Sequence, residues 1–138
     1  MIENNIANLH STFEKIYKES GNDLDWQRSS IEYLSNFPLD KHKEIFKNIL
    51  KKKDADFSEK YNAALGLGRL KDFSSVGLLI KECEEARKVS DFNVRTYLIA
   101  LGMIRGDKAK NEVESFLKSE ERVVSNLAKE IIAKWDKQ

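Results

Sequence analysis

The sequence predicts an all-helical fold, and three observations support this prediction. Apolar residues recur at spacings of three and four along nearly the whole chain, which is typical of helices with one buried face. The 138 residues include only six glycines and a single proline, Pro38, which disfavours a turn-rich β fold. A short string of residues also occurs twice, which indicates an internal repeat. Since no segment shows convincing alternation of apolar and polar residues, we predict no strands.

Three helices are predicted in the first part of the chain. The first ends in the turn sequence Ser-Gly-Asn-Asp at residues 20–23, and the second begins with Asp23 or Asp25 as its N-cap. Pro38 ends the second helix, because the residue before a proline is pushed out of the α region. The third helix ends in the basic run 51–53, which suits the negative end of the helix dipole. The three apolar stripes are Ile2, Ile6, Leu9, Phe13, Ile16 and Tyr17; Trp26, Ile31, Leu34 and Phe37; and Ile45, Phe46, Ile49 and Leu50.

Five further helices are predicted in the rest of the chain. The fourth has Asp56 or Ser58 as its cap, the fifth runs from about Phe73, the sixth is capped by Asp91, and the eighth follows Ser119 as its cap. Their stripes are Phe57, Tyr61, Ala64, Leu65, Leu67 and Leu70; Val76, Leu79, Ile80, Cys83 and Ala86; Phe92, Val94, Leu98, Ile99, Leu101 and Ile104; Ala109, Val113, Phe116 and Leu117; and Val123, Val124, Leu127, Ile131, Ile132 and Trp135. Loops are short throughout, so helices that follow one another are expected to be antiparallel neighbours.

The internal repeat is the strongest sign of organisation. The string Ala-Leu-Gly-Leu-Gly-Arg at residues 64–69 recurs as Ala-Leu-Gly-Met-Ile-Arg at residues 100–105, an offset of 36 residues. A weaker match, at an offset of 33, pairs Ile31, Leu34 and Phe37 with Ala64, Leu67 and Leu70. A two-helix hairpin cannot bury its apolar face alone, so repeated hairpins stack and share one core. We expect small residues at Ala64, Gly66, Ala100 and Gly102 to allow close approach of the next layer.

The repeated pattern resembles a known family of helical repeats. An Ala-Leu-Gly-x-x-Arg string ending one helix, a turn with Asp107 and Ala109, and a second apolar-striped helix resemble the HEAT-like (armadillo-type) family, particularly its short bacterial members. The resemblance covers residues 25–119 as three hairpins. It implies a right-handed α-solenoid that forms one domain over residues 1–138, with the first and eighth helices as caps. The sequence departs from the family pattern by lacking the usual helix-bending proline, and the basic residue near the start of the first helix of a hairpin is present only as Arg95.

Composition and charge restrict the classes of function. A formal net charge of +1 argues against a dedicated nucleic-acid binder, although the charge is uneven: −4 in residues 1–40, +5 in residues 41–71 and zero in residues 72–138. The single cysteine, Cys83, excludes an internal disulfide framework and favours a reducing compartment. The polar N-terminus does not resemble a signal peptide, and no apolar run reaches the ~18–20 residues that cross a bilayer. We therefore expect a cytoplasmic protein without membrane attachment.

The sequence contains no recognisable catalytic motif. We expect that the protein is not an enzyme and that it uses no cofactor or metal ion. His10 and His42 lie far apart in the sequence and are interpreted as ordinary surface or boundary histidines. Cys83 aligns with the apolar stripe of the fifth helix, so it is predicted to be a small core residue and not a reactive thiol. Acid pairs such as Glu82 with Glu85 are interpreted as solvated charge.

Charged helix faces provide the candidate binding surface. In HEAT-like solenoids the second helix of each hairpin tends to line the concave side, and the resemblance implies the same here. The candidate partner-binding residues on these helices are Lys43, Lys47, Lys51, Glu82, Glu85, Glu112 and Glu114. Their mixed signs favour a protein partner over a phosphate backbone, and a plain solvated face is the alternative interpretation.

The functional hypothesis that follows is a protein-binding module, monomeric when free. Its most specific form is an immunity protein that binds and neutralises a cognate bacterial toxin. One alternative is a nucleic-acid-binding HEAT-like protein, supported by the basic segment 41–71 and by Trp26, Tyr33, Tyr61 and Tyr97. Another is an accessory subunit of an enzyme, such as a chromophore lyase subunit.

Overall fold

The computed structural model of the chain describes residues 2–21 and 23–137, with side chains from Asn8 onward. Over these residues the regular structure is entirely helical, which confirms the all-α prediction. The eight α-helices are α1 (Ile2–Glu19), α2 (Leu24–Asn36), α3 (Lys43–Lys51), α4 (Phe57–Arg69), α5 (Val76–Val89), α6 (Arg95–Ile104), α7 (Asp107–Glu114) and α8 (Arg122–Asp136). Short 3₁₀ turns at Asp40–His42, Phe73–Ser75 and Asp91–Val94 lead into α3, α5 and α6.

Two aspartates begin their helices as the sequence predicts. The Asp23 carboxylate accepts hydrogen bonds from the backbone N–H groups of Asp25 and Trp26, so Asp23 and not Asp25 is the N-cap of α2. The Asp56 carboxylate accepts from the backbone N–H of Ser58 and caps α4 in the same way. These bonds satisfy backbone donors that have no partner inside the first helical turn.

The predicted cap of α8, Ser119, is wrong. Its hydroxyl accepts a hydrogen bond from the backbone N–H of Glu121 and donates one to the carboxylate of Asp91, 2.6 Å away. Glu121 is the residue that precedes the first turn, and α8 begins at Arg122. Ser119 therefore ties the start of α8 to the α5–α6 connection.

The starts of α5 and α6 lie three to four residues later than predicted, because a 3₁₀ turn precedes each. Before α6, the Ser90 hydroxyl accepts from the backbone N–H of Phe92 and caps the turn Asp91–Val94. Asp91 thus lies inside this turn and does not cap α6, which begins at Arg95.

The helices pack in two rows. In one row α2 packs against α4, α4 against α6, and α6 against α8; in the other α3 packs against α5, and α5 against α7. Along the chain, α1 also packs on α2, α3 on α4, α5 on α6, α6 on α7, and α7 on α8. Buried apolar residues run between the rows from Ile31 in α2 to Ala128 in α8, so one continuous core joins successive helices.

The structural repeat has a shorter period than the repeated string. Ala63, Ala64 and Leu67 of α4 are buried, and so are the residues 34 positions later, Tyr97, Leu98 and Leu101 of α6. The string itself repeats at 36 residues. Its second copy therefore lies two positions further along α6 than the first copy lies along α4. In the weaker match at an offset of 33, Ile31 and Leu34 are fully buried, as are their counterparts Ala64 and Leu67. Phe37, the third residue of the match, is exposed.

The displaced register gives the matching glycines different neighbours. A Cβ added to Gly66 would collide with the Phe46 ring of α3, whereas one added to Gly102 would meet Ile131 of α8. Gly68 is the glycine of α4 that faces the next helix of its row, because its added Cβ would lie 3.0 Å from the Cα of Ala100. Small residues do mark close helix approaches, as expected: Gly68 and Gly102, 34 positions apart, each face the next helix of their row, whereas Gly66 faces α3.

Several residues of the predicted apolar stripes are exposed. They are Leu9, Trp26, Phe37, Phe57, Phe92, Ile99 and Val123. Most lie in or beside the first or last turn of a helix, where the helix extends beyond its packed neighbours. Leu9 is exposed because α1 lies at the end of the stack, with α2 as its main neighbour. The side chains of Ile2 and Ile6, also predicted in the stripe of α1, lie outside the described residues.

Candidate functional site

A lysine-rich pocket lies on the surface formed by α3, α4 and α5. It has a volume of about 490 Å³ and lies between the end of α3, the first turn of α4 and the outer face of α5. Its lining consists of Leu50, Lys51, Lys52, Lys53, Lys60, Leu78, Lys81, Glu82 and Glu85, which we call the lysine pocket. The packing of α3 against α5 and α4 places the basic end of α3 beside α5, and this creates the pocket.

Both glutamates of the lysine pocket are held in ion pairs. Glu82 lies 3.0 Å from the ammonium of Lys60, and both side chains are largely buried. Glu85 lies 2.8 Å from Lys88, one turn further along α5, and the hydrogen bond from Lys88 lowers the pKa of the Glu85 carboxyl. The negative charge on this wall is therefore already compensated from within the protein.

Three of the predicted partner-binding residues meet in this pocket. Lys51, Glu82 and Glu85 line it together, although α3 and α5 are separated by the whole of α4 in the sequence. The pocket also contains Lys52, Lys53, Lys60 and Lys81, which were not among the predicted partner-binding residues. The run of three lysines at the end of α3 was visible in the sequence, but its proximity to Lys60 and Lys81 depends on the helix packing.

The other two predicted partner-binding lysines, Lys43 and Lys47, lie elsewhere. Lys47 is 3.4 Å and Lys43 is 4.0 Å from the carboxylate of Asp72, which is buried at the turn before α5. Lys47 also donates to the hydroxyl of Ser74 at 2.9 Å. These contacts join α3 to the start of α5, so Lys43 and Lys47 hold two hairpins together at a point outside the lysine pocket.

Glu112 lies in a partly buried acidic cluster, whereas Glu114 is exposed on α7. The Sγ atom of Cys83 and carboxylate oxygens of Glu84 and Glu112 all lie within 4.8 Å of one another, the only such group of potential metal-ligand atoms among the described residues. Burial, together with the neighbouring Glu84 carboxylate, raises the pKa of Glu112 to about 7. Burial also raises the pKa of the Cys83 thiol, so this fully buried cysteine remains protonated, as expected of a core residue.

Arg87, which was not among the predicted partner-binding residues, joins the acidic cluster to α7. Its guanidinium lies 3.1 Å from Glu84, donates to the backbone carbonyl of Ser115 at 3.1 Å, and lies 3.7 Å from the centre of the Phe116 ring. A planar guanidinium suits simultaneous hydrogen bonding and stacking of this kind. Only the packing of α5 on α7 brings Arg87 to Ser115 and Phe116, which lie 28 positions or more further along the chain.

The interpretation of the two histidines as surface or boundary residues is wrong. His10 and His42 are both buried, and their rings stack with centroids 5.7 Å apart. The backbone N–H of Leu39 donates to Nδ1 of His42 at 3.0 Å, which assigns the ring proton to Nε2. Nε2 then donates to the carboxylate of Glu14 at 3.0 Å, which also pairs with Lys41. The cause is that α1 folds back over the turn before α3.

The aromatic residues cited for nucleic-acid binding do not form one surface. Tyr97 is buried, Tyr33 is stacked on Phe13 of α1, and Tyr61 packs against the core. Trp26 alone is well exposed, at the start of α2. Single-stranded nucleic-acid sites usually present several rings in succession, and these four residues do not.

Comparison with family models, curated proteins and solved structures found no match. Each helix in the described part of the chain is too short or too polar to cross a lipid bilayer.

Proposed function

We propose that this protein is a short HEAT-like α-solenoid that binds another protein and does not catalyse a reaction. The observation that carries the proposal is the lysine pocket, in which Lys51, Glu82 and Glu85 come together on the outer side of the second row of helices. A fixed concavity with charges of both signs is typical of surfaces that select a protein partner.

The order of helix contacts supports the solenoid. Hairpins α2–α3, α4–α5 and α6–α7 follow one another, and each contacts the next through both rows. The buried positions repeat at 34 residues between α4 and α6, within the range of helical-hairpin repeats. In a right-handed solenoid of this type, α1 and α8 cover the two ends, where α1 packs on α2 and α8 on α6 and α7.

The sharper form of the proposal is an immunity protein that neutralises a cognate bacterial toxin. Its support is the resemblance of the sequence to short bacterial HEAT-like proteins. The first step of the test is to establish whether the neighbouring gene encodes a large secreted protein with a variable C-terminal domain. The second step is to co-express this protein with that gene product. Restored growth of cells that express the toxic domain supports this form, and unchanged killing at equal expression contradicts it.

Binding to a protein can be tested without knowing the partner. The purified chain is immobilised and exposed to an extract of its host, and retained proteins are identified by mass spectrometry at low and at physiological salt. We expect one protein to be retained in a saturable manner and to be displaced by free chain. Retention of nucleic acid alone, or of nothing that the free chain displaces, contradicts the proposal.

A further inference from the structure

The lysine pocket carries positive charge that the protein does not neutralise. Its two glutamates are paired with Lys60 and Lys88. Among the ion pairs formed by the described residues, none involves Lys51, Lys52, Lys53 or Lys81. Four ammonium groups therefore line one cavity without an ion pair to any described residue. Lys52 and Lys81 interact at longer range with the carboxylates of Glu59 and Glu85, but the five lysines of the lining outnumber its two glutamates, which creates a local positive potential despite a net charge of only +1.

The pocket also has an apolar floor. Leu50 is fully buried beneath it, and Leu78 of α5 is half-buried. A volume of about 490 Å³ is comparable to that of sites that enclose a few side chains. An occupant that fits places carboxylates near the rim lysines and aliphatic carbon against the half-buried Leu78. Aspartate and glutamate side chains on an extended peptide combine these two properties.

A nucleic acid fits the same pocket less well. Its lining contains no aromatic ring on which a base could stack. Glu82 and Glu85 also line the pocket, each paired with a lysine, and a lining with charges of both signs suits a protein segment better than a continuous line of phosphates. A peptide can place its own lysine, amide or apolar residue opposite these glutamates.

We propose that the lysine pocket takes a short acidic segment, rich in Asp and Glu, from a protein partner. This inference rests on the proposed protein-binding function and names the chemistry of the segment that is bound. Recognition is electrostatic at the rim and apolar at the floor, so the affinity falls as salt is raised.

The test is a fluorescence-anisotropy titration of the full chain with a labelled Asp- and Glu-rich peptide. Wild-type protein is compared with the double variant Lys53→Glu/Lys81→Glu, which reverses two exposed pocket charges. The matched control is Lys129→Glu/Lys137→Glu, which changes the net charge equally at exposed positions outside the pocket. We expect the pocket variant to weaken binding about tenfold, and the control to weaken it by less than about twofold. The milder Lys53→Gln/Lys81→Gln variant is expected to lie between, and thermal melts establish that each variant is folded.

Four results would overturn the inference. One is no binding of the acidic peptide at low salt, and a second is an equal loss in the pocket and control variants, which would indicate bulk charge. The third is tighter binding of labelled oligothymidylate than of the peptide, which would indicate a nucleic acid in the pocket. A host protein captured equally by wild-type chain and by the pocket variant would also overturn it, yet would leave the protein-binding function standing.

Discussion

Glu112 is a single residue whose charge is expected to change near neutral pH. Its carboxyl faces Glu84 across the contact between α5 and α7, with Cys83 beside it and the Arg87 guanidinium on Glu84. Because burial and the Glu84 carboxylate raise its pKa to about 7, the folded protein holds a proton there that the unfolded chain releases near its ordinary value of 4.5. The free energy of unfolding therefore decreases as the pH rises from about 4.5 through 7.

Replacing Glu112 with Gln should remove this pH dependence, because the amide stays neutral. We expect Glu112→Gln to be more stable than wild type at pH 8 by on the order of 1 kcal/mol, reduced by partial exposure to water, with the difference shrinking towards pH 5. Urea unfolding followed by circular dichroism at several pH values measures this. Glu114→Gln, on the exposed side of the same helix, is the control and should keep the wild-type dependence. A Glu112→Gln curve parallel to that of wild type would contradict the assignment.

Replacing two glycines with alanine should change the stability of the protein in opposite directions. At Gly68 a Cβ would lie 3.0 Å from the backbone of Ala100 in the neighbouring helix, so α4 and α6 must separate. We expect Gly68→Ala to destabilise the protein by about 1–3 kcal/mol. Gly77, in the first turns of α5, has nothing within 4 Å of an added Cβ, and Gly77→Ala should stabilise by about 0.5–1 kcal/mol through helix propensity. Thermal melts of both variants measure these stability changes. Equal changes would show that the close approach of α4 and α6 does not determine the effect of Gly68→Ala.

At the scale of elements, the docking of α1 depends on a buried polar contact. Although burial opposes the charged form of Glu14, hydrogen bonds from His42 and Lys41 outweigh it and lower the pKa of this carboxyl. A carboxyl with a lowered pKa contributes stability above its unfolded value of 4.5, and that contribution is lost as the pH falls through the folded value. Acid should therefore loosen α1 before the rest of the fold.

The variant Glu14→Gln should reproduce this loosening at neutral pH. We expect faster amide hydrogen exchange confined to residues 2–19, with little change in α4 or α6, because Gln keeps the shape but not the charge opposite Lys41 and His42. Glu19→Gln, at the exposed end of the same helix, is the matched control and should exchange as wild type does. A uniform increase across all helices would instead mean that α1 unfolds only with the whole molecule.

Comparison of the helices with the sequence separates what local patterns determine from what packing determines. The number of helices and the caps Asp23 and Asp56 were predictable, because periodicity and capping depend on residues close in sequence. The start of α8 was not, since the Ser119 hydroxyl that looked like a cap forms a bond to Asp91 28 residues away. The lysine pocket was predictable only in part for the same reason, because it is helix packing that brings Lys51 of α3 and Lys81 of α5 to one pocket.

At the scale of the molecule, the core is continuous from α2 to α8, so damage at its centre should spread in both directions. Leu67 is fully buried in α4, which packs on α2, α3 and α6. We expect Leu67→Ala to lower the free energy of unfolding by about 2–5 kcal/mol, through lost burial and the cavity that remains. In a stack whose hairpins contact only their neighbours, weakening a central hairpin removes support from the interfaces on both its sides.

Hydrogen exchange distinguishes this behaviour from local damage. If the stack unfolds as one unit, protection in α2, α4 and α6 should fall by the same amount in Leu67→Ala, and the urea midpoint should shift without broadening. Val89→Ala, at the exposed end of α5, is the control and should change stability by less than about 0.5 kcal/mol. Loss of protection in α4 alone, with α2 and α6 unaffected, would show that each hairpin is held by its own contacts. That result would favour independent hairpins over a cooperative solenoid, and would remove the rigid spacing between α3 and α5 on which a preformed lysine pocket depends.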